Sequence, residues 1–439
     1  MSNLAINGGP KAVTKDPGDL FTHPVIDERD EKALLDMLHS GQMSSIEPGM
    51  QFERKYADWH GMKYGLAHNT GTAALHGGFF GCGVGEGDEI ICPSYTYWAS
   101  CTPVLSMGAT VVFADIDPWT LTVDPADIER KITPRTKVIV AVHCYGHPAD
   151  MDPIMEIAEK HGIYVMEDVS HAHGALYKGR TVGSIGHLSA ASVMTGKALP
   201  AGEGGVLLTN DQEIHERAIV FGHYGRISQC ELEEYKSLAG LPLGGYKYRL
   251  NGFCAAMALV QVEKYPEILP GKVAAAKLWW DLLEDVPGIV PHRPSWPDST
   301  LGGWYAPHGL YDVSAAPGNL PLKAFGRAVQ AEGTTCSPGG YGGMHLHPAY
   351  QDYRIYHEEK PTMIARSERD TRLKKGDLPV TEAGPARTYS VPRFGYCDEE
   401  YITQCADAYC KVMEHADEVP IEEGDYDEEG LAREREFRG

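Results

Sequence analysis

The sequence predicts an α/β protein whose main sheet is mostly parallel and covered by helices on both faces. Between about Gln51 and Asn210, helix-like segments alternate with short apolar runs that are bounded by Gly, Pro and Asp. Such alternation is typical of parallel sheets whose strands are buried on both faces. The length of 439 residues exceeds what one hydrophobic core usually supports, so we also expect a smaller α/β domain at the C-terminal end.

The elements of the first half follow from composition and from the residues that interrupt it. The apolar runs expected as strands are Glu89–Cys92, Thr110–Ala114, Lys137–Val142, Ile163–Met166 and Gly205–Leu208. The stretches expected as helices are Phe52–Trp59, Gly71–Cys82 and Met151–His161. Asp152 before Pro153 fits a helix N-cap followed by proline at the first helical position. Ligands of such sheets bind outside the carboxyl ends of the strands, so residues directly after the strands are the first candidates for a site.

The second half is predicted more coarsely. Gly252–Tyr265 predicts a helix that Pro266 should end or kink, and a further helix is expected over Lys272–Leu283. We place a domain boundary between these two helices. The segments are then 1–270, an N-terminal arm and a large domain; 271–415, a small domain; and 416–439, an acidic tail. The tail, with its acidic stretch Glu418–Glu436, is expected to be a solvated and partly disordered end.

Charge and cysteine usage exclude several classes of protein. The formal net charge of −22 disfavours nucleic acid and anionic membrane surfaces as partners. No apolar run reaches the ~20 residues that a membrane-spanning helix needs, and the N-terminus lacks a signal-peptide core. The 10 cysteines form no Cys-x-x-Cys pair, which favours small buried side chains in a reducing compartment. We therefore expect a soluble cytoplasmic protein.

The first motif that carries chemistry is Asn69–Leu75, where a turn of small residues opens an apolar helix. Free backbone N–H groups and the positive end of the helix dipole would face an anion placed there. Taken alone, an ordinary helix start explains this motif better.

The second motif is Glu167–Gly174, which directly follows a predicted strand. A carboxylate there could hold a ligand cation, such as a protonated pyridine nitrogen, or a metal. His171 and His173 hint at a metal, but no third ligand has convincing spacing, so a metal site is disfavoured.

The third motif is Ser192–Lys197, followed by the glycine-rich stretch Gly202–Gly205. Most lysines are solvated, but one held away from water has a lowered pKa and can act as a nucleophile or base. The three motifs together supply an anion cradle, a carboxylate and an amine. Those are the groups that the phosphate, pyridinium and aldehyde of pyridoxal phosphate (PLP) require.

With these motifs in this order, the chain resembles the DegT/DnrJ/EryC1/StrS aminotransferases, fold-type I PLP enzymes that aminate keto-sugars and cyclitols. The resemblance extends from Leu4 to about Val412. It is strongest in the blocks Gly41–Gly61, Asn69–Leu75, Gly85–Ser100, Ala114–Asp117, Thr133–Asp152, Glu167–Ala175, Ser192–Gly205 and Gly244–Gln261. It implies a fold-type I PLP transferase that uses PLP, an amino-acid donor (glutamate or glutamine) and a small-molecule ketone, as a homodimer with shared active sites.

The resemblance also implies roles for single residues around the reacting atoms. Lys197 matches the lysine that forms the Schiff base with the cofactor. Asp168 matches the acid that pairs with the pyridine nitrogen. Tyr97 matches the aromatic residue that stacks on the cofactor ring, and His171 lies at the position near the ring hydroxyl.

Further residues are assigned to the phosphate by the same resemblance. Thr72 and Ala73 match the phosphate-binding turn, and Ser192 matches a phosphate-binding hydroxyl. Arg249 matches a residue that reaches the phosphate of the neighbouring subunit, while Lys247 stands where the family usually has asparagine.

Several alternatives stay open at this point. The opening Leu4–Pro10 resembles the branch that acts on scyllo-inosose-type cyclitols and includes aminohydroxybenzoate synthases, so PLP-dependent elimination or aromatisation is a rival to transamination. Family members that dehydrate carry histidine at the position of Lys197, which favours transamination here. A non-catalytic PLP-binding regulator is disfavoured because no DNA-binding appendage is visible. Residues that could bind substrate hydroxyls, or equally lie at the surface, are His223, Tyr224, Arg226 and Tyr248.

Two further groups of polar residues are interpreted as parts of loops. His143, His147, Asp150 and Asp152 could suggest a metal but are expected in a loop and helix start. His345 and His347 could face a substrate, yet a plain surface loop is favoured for them.

Overall fold

The computed structural model describes residues 2–355 and 359–426, and a seven-stranded sheet forms its centre. The strands of the first half are β1 (Tyr64–His68), β2 (Glu89–Pro93), β3 (Thr110–Ala114), β4 (Thr136–Val142), β5 (Tyr164–Asp168), β6 (Leu176–Tyr177), β7 (Arg180–Thr181), β8 (Leu188–Ser192) and β9 (Gly205–Thr209). The order in the sheet is β1-β9-β8-β5-β4-β2-β3, while β6 and β7 form a separate hairpin. Only β9 runs antiparallel to its neighbours, so the predicted, mostly parallel sheet is confirmed.

All five predicted strands are present, and each end lies within two residues of its predicted position. The other two strands of the sheet, β1 and β8, are not predicted from the sequence. Strand β8 consists of leucine, serine and alanine, which have little β-propensity, and it is held by its neighbours β5 and β9. Strand β1 begins with Tyr64 and Gly65. A Cβ at Gly65 would lie 2.7 Å from the carbonyl oxygen of Glu53, so glycine permits this strand to approach the preceding helix.

Helices cover both faces of the sheet. Their ranges are α1 (Glu28–Ser40), α2 (Glu47–His60), α3 (Gly71–Gly81), α4 (Pro125–Lys131), α5 (Met151–His161), α6 (Gln212–Gly222), α7 (Glu233–Lys236) and α8 (Gly252–Leu283). One apolar core includes Phe52 of α2, Ile154 of α5 and Val262 of α8. The core on the opposite face includes Leu75 of α3 and Ile219 of α6.

Helix α8 corrects the prediction for the second half. The two helices expected over Gly252–Tyr265 and Lys272–Leu283 are one helix that continues through Pro266 and Pro270. Its first half packs on the sheet and its second half packs, through Trp279 and Trp280, in the core of the C-terminal region. Burial at both ends outweighs the hydrogen bonds that the prolines remove. The predicted boundary at residues 270/271 therefore falls inside a continuous helix, and the division into domains stays a prediction.

The C-terminal region is a smaller α/β unit. Its strands are β10 (Ile289–Val290), β11 (His308–Tyr311), β12 (Ser337–Pro338) and β13 (Thr388–Ser390), and its helices are α9 (Leu322–Ala331), α10 (Pro379–Arg387) and α11 (Glu399–Glu414). The strands form an antiparallel sheet in the order β10-β11-β13-β12. Leu4 and Leu20 of the N-terminal arm are buried in this C-terminal core.

Smaller expectations are also corrected. The N-cap position of α5 is Asp150, whereas Asp152 lies in the first helical turn and forms ion pairs with Lys178 and Arg180. Pro153 is tolerated there because the first N–H groups of a helix have no intrahelical partner.

The described part of the acidic tail is mostly exposed and is anchored at one residue. The carboxylate of Asp425 is buried and pairs with Arg327, whereas residues 420–424 and Tyr426 are exposed. The remainder of the predicted disordered tail, from residue 427 on, lies outside the described residues. All ten cysteines are free and most are buried. Among residues 2–355 and 359–426, none of the helices has the length and apolar character needed to cross a bilayer.

Candidate active site

The predicted site residues meet at the carboxyl edge of the central sheet. Asp168 is the last residue of β5, and Ser192 is the last residue of the adjacent parallel strand β8. The side-chain hydroxyl of Ser170 accepts a hydrogen bond from the backbone N–H of Ser192 at 3.1 Å, which ties the two strand ends together. Lys197 lies in a turn five residues after Ser192. Its backbone N–H donates to the carbonyl of Met194 at 2.8 Å.

The N-terminus of α3 lies directly on these strand ends, and two glycines permit the approach. A Cβ at Gly71 would lie 2.6 Å from the Cβ of Ser192. A Cβ at Gly205 would lie 2.4 Å from the carbonyl oxygen of Thr70. Any larger residue at either position would push the helix away from the sheet, so both glycines maintain a close helix N-terminus.

This helix start has hydrogen-bond donors available for an anion. The hydroxyl of Thr70 caps the helix by accepting from the N–H of Ala73 at 2.9 Å. The N–H groups of Gly71 and Thr72 have no protein acceptor among the described residues. The Ser192 hydroxyl accepts one long bond, 3.3 Å, from the N–H of Met194 and can donate its own proton. Unused donors at the positive end of a helix suit a phosphate group.

The carboxylate of Asp168 is buried and held in place. Its Oδ2 accepts a hydrogen bond from the Ser100 hydroxyl at 2.7 Å, and its Oδ1 accepts from the N–H of Ser170 at 3.1 Å. The Ser100 oxygen lies 3.0 Å from the Thr96 hydroxyl, which donates to it because the Ser100 proton is used by Asp168. Two bonds leave acceptor capacity on the carboxylate for a ligand cation.

Lys197 is a buried amine without a counterion. It is 9% exposed, and within the described ranges its ammonium has neither an ion-pair nor a hydrogen-bond partner. Its Nζ lies 4.3 Å from the centre of the Tyr305 ring. Burial lowers the pKa of Lys197 to about 8; Asp168 raises that pKa and Arg393 lowers it further. A minority of an amine with such a pKa is neutral near physiological pH, far more than for an ordinary lysine, and that form can act as a nucleophile or a base.

His171 is buried in an aromatic wall. Its Nδ1 accepts from the backbone N–H of Tyr145 at 3.4 Å, which leaves Nε2 to carry the proton. Burial lowers the pKa of His171 well below its ordinary value, and the charge of Lys197 adds to this effect, so the ring is neutral. The rings of His171, Tyr145 and Tyr341 are nearly parallel, and His308 stacks on Tyr145 with centroids 3.8 Å apart.

The aromatic residues Tyr305 and Tyr341 are absent from the site predicted from the sequence. Tyr305 stands between Trp304 and Ala306, two non-glycine residues with φ of 55° and 43°. Such backbone strain is found mainly at functional sites. The clues in the sequence are the flanking Gly302-Gly303 and the run Gly339-Gly340 before Tyr341. Nothing local in these segments indicates that Tyr305 contacts Lys197 or that Tyr341 stacks with His171.

Tyr97 and Arg249 lie at the rim of this region. Tyr97 follows β2, is 49% exposed and contacts Trp98 with ring centroids 5.1 Å apart. The backbone of Arg249 forms a β-bridge with His68 of the same chain, just before the turn that starts α3. Its side chain is half-buried and has no hydrogen-bond acceptor within residues 2–355 and 359–426.

Of the residues considered for substrate hydroxyls, only Tyr224 is exposed. The guanidinium of Arg226 is buried and pairs with Glu53 at 2.7 Å, so it stabilises the fold and is not at the surface. The Tyr248 hydroxyl lies 2.8 Å from Nδ1 of His76, and His223 is buried. The polar groups of Arg226 and Tyr248 are thus used by internal contacts, whereas Nε2 of His223 is buried without a hydrogen-bond partner among the described residues.

His345 corrects a second expectation. It was expected on a plain surface loop together with His347, but it is fully buried. Its Nδ1 lies 2.8 Å from the Ser94 hydroxyl and its Nε2 lies 3.2 Å from Glu382, which fixes the loop on the end of β2. His347 is exposed, as expected. In the part of the chain that the structure describes, no group of three or more His, Cys, Asp or Glu is arranged to hold a metal.

Comparison with known proteins places this geometry in a family. Residues 24–371 match the model of the DegT/DnrJ/EryC1/StrS aminotransferase family. The chain is 38% identical over 342 residues to the L-glutamine:2-deoxy-scyllo-inosose aminotransferase of Micromonospora echinospora, covering 76% of this chain and 80% of that protein. It is 29% identical over 403 residues to the spore coat polysaccharide biosynthesis protein SpsC of Bacillus subtilis (strain 168), covering 90% and 97% of the two chains.

A solved structure supports the same placement. The aminotransferase from Psychrobacter cryohalolentis superposes with a TM-score of 0.77 at 28% identity, covering 90% of this chain and 98% of that chain. The central sheet, the buried lysine after its strand ends and the family match are mutually consistent. The chain belongs to the DegT/DnrJ/EryC1/StrS aminotransferase family and is a pyridoxal-phosphate-dependent aminotransferase.

Proposed function

We propose that the protein transfers the amino group of glutamate or glutamine to the carbonyl group of a keto-sugar or a keto-cyclitol. The observation that carries this proposal is Lys197, a buried amine without a counterion, at the sheet edge that also presents Asp168 and the start of α3. The family match and the 38% identity to an inosose aminotransferase support it.

The residues present fit PLP. The N–H groups of Gly71 and Thr72, together with the hydroxyl of Ser192, would hold the phosphate at the start of α3. The N–H of the predicted turn residue Ala73 is used by the Thr70 cap. Asp168 would pair with the pyridine nitrogen and favour its protonated form. His171 would donate from Nε2 to the ring hydroxyl, and Tyr97 would stack on the ring.

The chemistry is divided between the cofactor and the chain. When bound, PLP withdraws electrons from the carbon that carries the transferred amino group. Lys197 would supply the amine that holds the cofactor, and as a free amine it would take the proton from Cα of the donor. Its pKa of about 8 suits that task, because a neutral fraction is present near pH 7 and the proton can be returned.

The acceptor is proposed from the lining of the site. The stacked rings of Tyr145, Tyr341 and His308 form an aromatic surface beside His171. Apolar and aromatic walls with few polar groups are typical of small-molecule sites. A cyclic polyol can place its C–H face on such a wall, which supports a sugar or cyclitol ketone.

The assignment of Lys197 has a direct test. Borohydride reduction of the purified holoenzyme should remove its yellow colour, and peptide mapping should place the pyridoxyl group on Lys197. The exposed Lys277 of α8 serves as the control position, because it pairs with Asp281 and has no contact with the site. A label on another lysine contradicts the proposed site, and absence of amine transfer from L-glutamine or L-glutamate to any ketone contradicts the proposed activity.

We also propose a homodimer in which Arg249 reaches the phosphate of the neighbouring subunit. The large apolar side chains of Leu241 and Leu243, just before this segment, are exposed and suit a subunit interface. Inactive Lys197→Ala subunits mixed with inactive Arg249→Ala subunits should regain activity after exchange, because one site of each heterodimer then has both native residues. A mixture that stays inactive, despite proven exchange, means that each subunit builds its own site.

A further inference from the structure

The charged form of Lys197 meets an aromatic ring where another buried lysine meets oxygen atoms. The ammonium of Lys264 contacts the carboxylate of Asp30 and donates to the carbonyl of Val25 at 2.8 Å. Lys197 has no such acceptor among the described residues, and its Nζ lies over the face of the Tyr305 ring, 4.3 Å from the centroid. The face of an aromatic ring carries partial negative charge, so it attracts an ammonium group without accepting its proton.

The segment that carries Tyr305 approaches the Lys197 turn very closely. Gly303, two residues before Tyr305, donates its N–H to the carbonyl of His173 at 3.1 Å. A Cβ at Gly303 would lie 2.4 Å from the Cβ of Ala198, the residue after Lys197. Only glycine at this position therefore lets the two segments pack against each other, and this packing brings the ring to the amine.

The residues on both sides of Tyr305 are fixed as well. Trp304 and Ala306 have φ of 55° and 43°, in the left-handed region that non-glycine residues seldom adopt. The Trp304 indole donates to the carbonyl of Pro392 at 2.9 Å. Backbone strain of this kind persists only where the surrounding structure imposes one conformation, and it is concentrated at functional sites. The strained segment thus holds the Tyr305 ring over the Lys197 ammonium.

The charged and titratable groups of the sheet edge and the C-terminal region do not replace the ring. Asp168 raises the pKa of Lys197 but forms no ion pair with it. Arg393 lowers that pKa, and its guanidinium carbon lies over the same ring, 5.5 Å from the centroid. Burial lowers the pKa values of His171 and His173, so both are neutral. The ring is therefore the group that contacts the Lys197 charge directly.

The N-terminal arm and α8 add no negative charge to this region. Nε2 of His23 lies 3.0 Å from the carbonyl oxygen of Thr195, in the turn that carries Lys197. Burial lowers the pKa of His23 to about 4, and the charges of Arg393 and of Lys272 in α8 lower it further, so His23 is neutral.

We propose that Tyr305 is a positioning residue whose ring binds the Lys197 ammonium through a cation–π contact when this amine is not bonded to the cofactor. The inference rests on the proposed role of Lys197. A lysine that takes a proton from a donor becomes charged and has to be held in place until it returns the proton. A carboxylate partner, such as that of Lys264, would retain the proton because it raises the pKa of the amine. A ring face stabilises the same charged form more weakly, which leaves the proton transferable.

The direction of a pKa change distinguishes this role from ordinary packing. If the Tyr305 ring binds the ammonium, its removal lowers the pKa of Lys197, because the buried charged form loses its partner. If the ring only fills space, its removal admits water and raises the pKa toward that of an exposed lysine, about 10.4.

The test measures the pKa of Lys197 in the pyridoxamine form of the full-length holoenzyme, in which this lysine is a free amine. Trace acetylation with acetic anhydride at a series of pH values, followed by peptide mass spectrometry, gives a titration midpoint for each lysine. We expect a midpoint near pH 8 for the wild type and for Tyr305→Phe, which keeps the ring. In Tyr305→Leu the midpoint should fall by about one pH unit. The exposed Lys277 of α8 is the internal reference and should keep its midpoint in every variant.

Two further variants separate the charge of the ring face from its shape. Pentafluorophenylalanine at position 305 keeps the shape of the ring but reverses the charge of its face, so its midpoint should lie about one pH unit below that of Tyr305→Phe. This comparison applies even where Tyr305→Leu does not fold. Tyr341→Leu removes a different ring beside His171, at a centroid distance of 6.1 Å, which forms no cation–π contact with a described lysine. It should leave the Lys197 midpoint unchanged.

The rate of proton transfer gives a second readout. The single-turnover reaction with L-glutamine should slow on the order of tenfold in Tyr305→Leu and stay within about twofold of wild type in Tyr305→Phe. An unchanged or raised Lys197 midpoint in Tyr305→Leu overturns the inference. Equal midpoints for phenylalanine and pentafluorophenylalanine at position 305 overturn it as well, whatever the leucine variant shows.

These outcomes are separable from those that test the proposed function. If borohydride labels another lysine but the Lys197 midpoint still falls in Tyr305→Leu, the proposed site fails, and the contact between Tyr305 and Lys197 remains without a part in amine transfer. If borohydride labels Lys197 and its midpoint does not fall, the proposed function stands and the positioning role of Tyr305 is wrong.

Discussion

Two adjacent carboxylates at the end of β5 face opposite sides of the sheet, and their surroundings differ. Glu167 lies on the side of Val165 and is fully buried. Its oxygens accept four hydrogen bonds from described residues. The donors are Nε2 of His143 and the backbone N–H groups of Gly183, Ile185 and Gly186. From the described residues, Asp168 accepts only two hydrogen bonds, which come from Ser100 and Ser170. A carboxylate whose acceptor sites are filled by the chain stabilises the fold, whereas one with free capacity beside a buried amine can hold a ligand.

The largest expected effect concerns Asp168, the carboxylate that has acceptor capacity for a ligand. Asp168→Asn should reduce single-turnover amine transfer on the order of 10³-fold, because an amide cannot stabilise a protonated ring nitrogen through charge. The free energy of unfolding should change by less than about 2 kcal/mol, since the two hydrogen bonds can be partly kept. Turnover at matched cofactor occupancy and denaturant unfolding measure the two quantities. Near-normal turnover would remove Asp168 from the reaction.

The opposite pattern is expected for the neighbouring carboxylate. Glu167→Gln should lower the free energy of unfolding by about 3 kcal/mol, because the amide nitrogen faces N–H groups that now lack an acceptor. The folded fraction should keep turnover within a few fold of wild type. Denaturant unfolding followed by activity measurements on the same sample checks both. A variant of normal stability and low turnover would reverse the roles given to the two carboxylates.

The pH dependence of the stability difference between wild type and Glu167→Gln tests whether the charge of Glu167 is its cause. Burial raises the pKa of Glu167, but hydrogen bonds from His143 and the loop outweigh this effect, so its pKa lies below the ordinary value. A lowered folded-state pKa stabilises the protein above the unfolded-state pKa of about 4.3, and the contribution is lost as the pH falls through the folded-state value. The stability gap between wild type and Glu167→Gln should be constant from about pH 8 to 5 and shrink below that range. A gap that does not depend on pH would mean that charge is not its cause.

The smallest effect concerns a positioning residue. Ser100→Ala removes the hydroxyl that donates to Asp168 and should reduce turnover about tenfold through a less ordered carboxylate. Ser100→Thr retains the hydroxyl and should restore most of the turnover. The same variants should leave borohydride labelling of Lys197 unchanged, which distinguishes positioning from loss of the cofactor. Equal turnover in Ser100→Ala and wild type would show that Ser170 alone is enough.

Much of the fold could be predicted because its signals are local. The strand Thr110–Ala114 and the helix Met151–His161 have the predicted bounds, since apolar runs and flanking glycine or aspartate mark them directly. The order of Thr72, Asp168 and Lys197 along the chain predicted the kind of site and its cofactor. The continuity of α8 was not predictable, because its prolines are tolerated only through packing against two separate cores.

The sequence by itself determined the sheet, the placement of candidate residues after its strands and the family, since each depends on residues close together or on their order. Only the tertiary structure decided which buried charges are neutralised by the chain. Lys264 meets Asp30 from a distant helix, whereas Lys197, Lys272 and Arg393 meet no carboxylate partner among the described residues. The physical reason is that the electrostatic free energy of a buried charge depends on groups within a few ångströms, and those groups come from segments hundreds of residues apart.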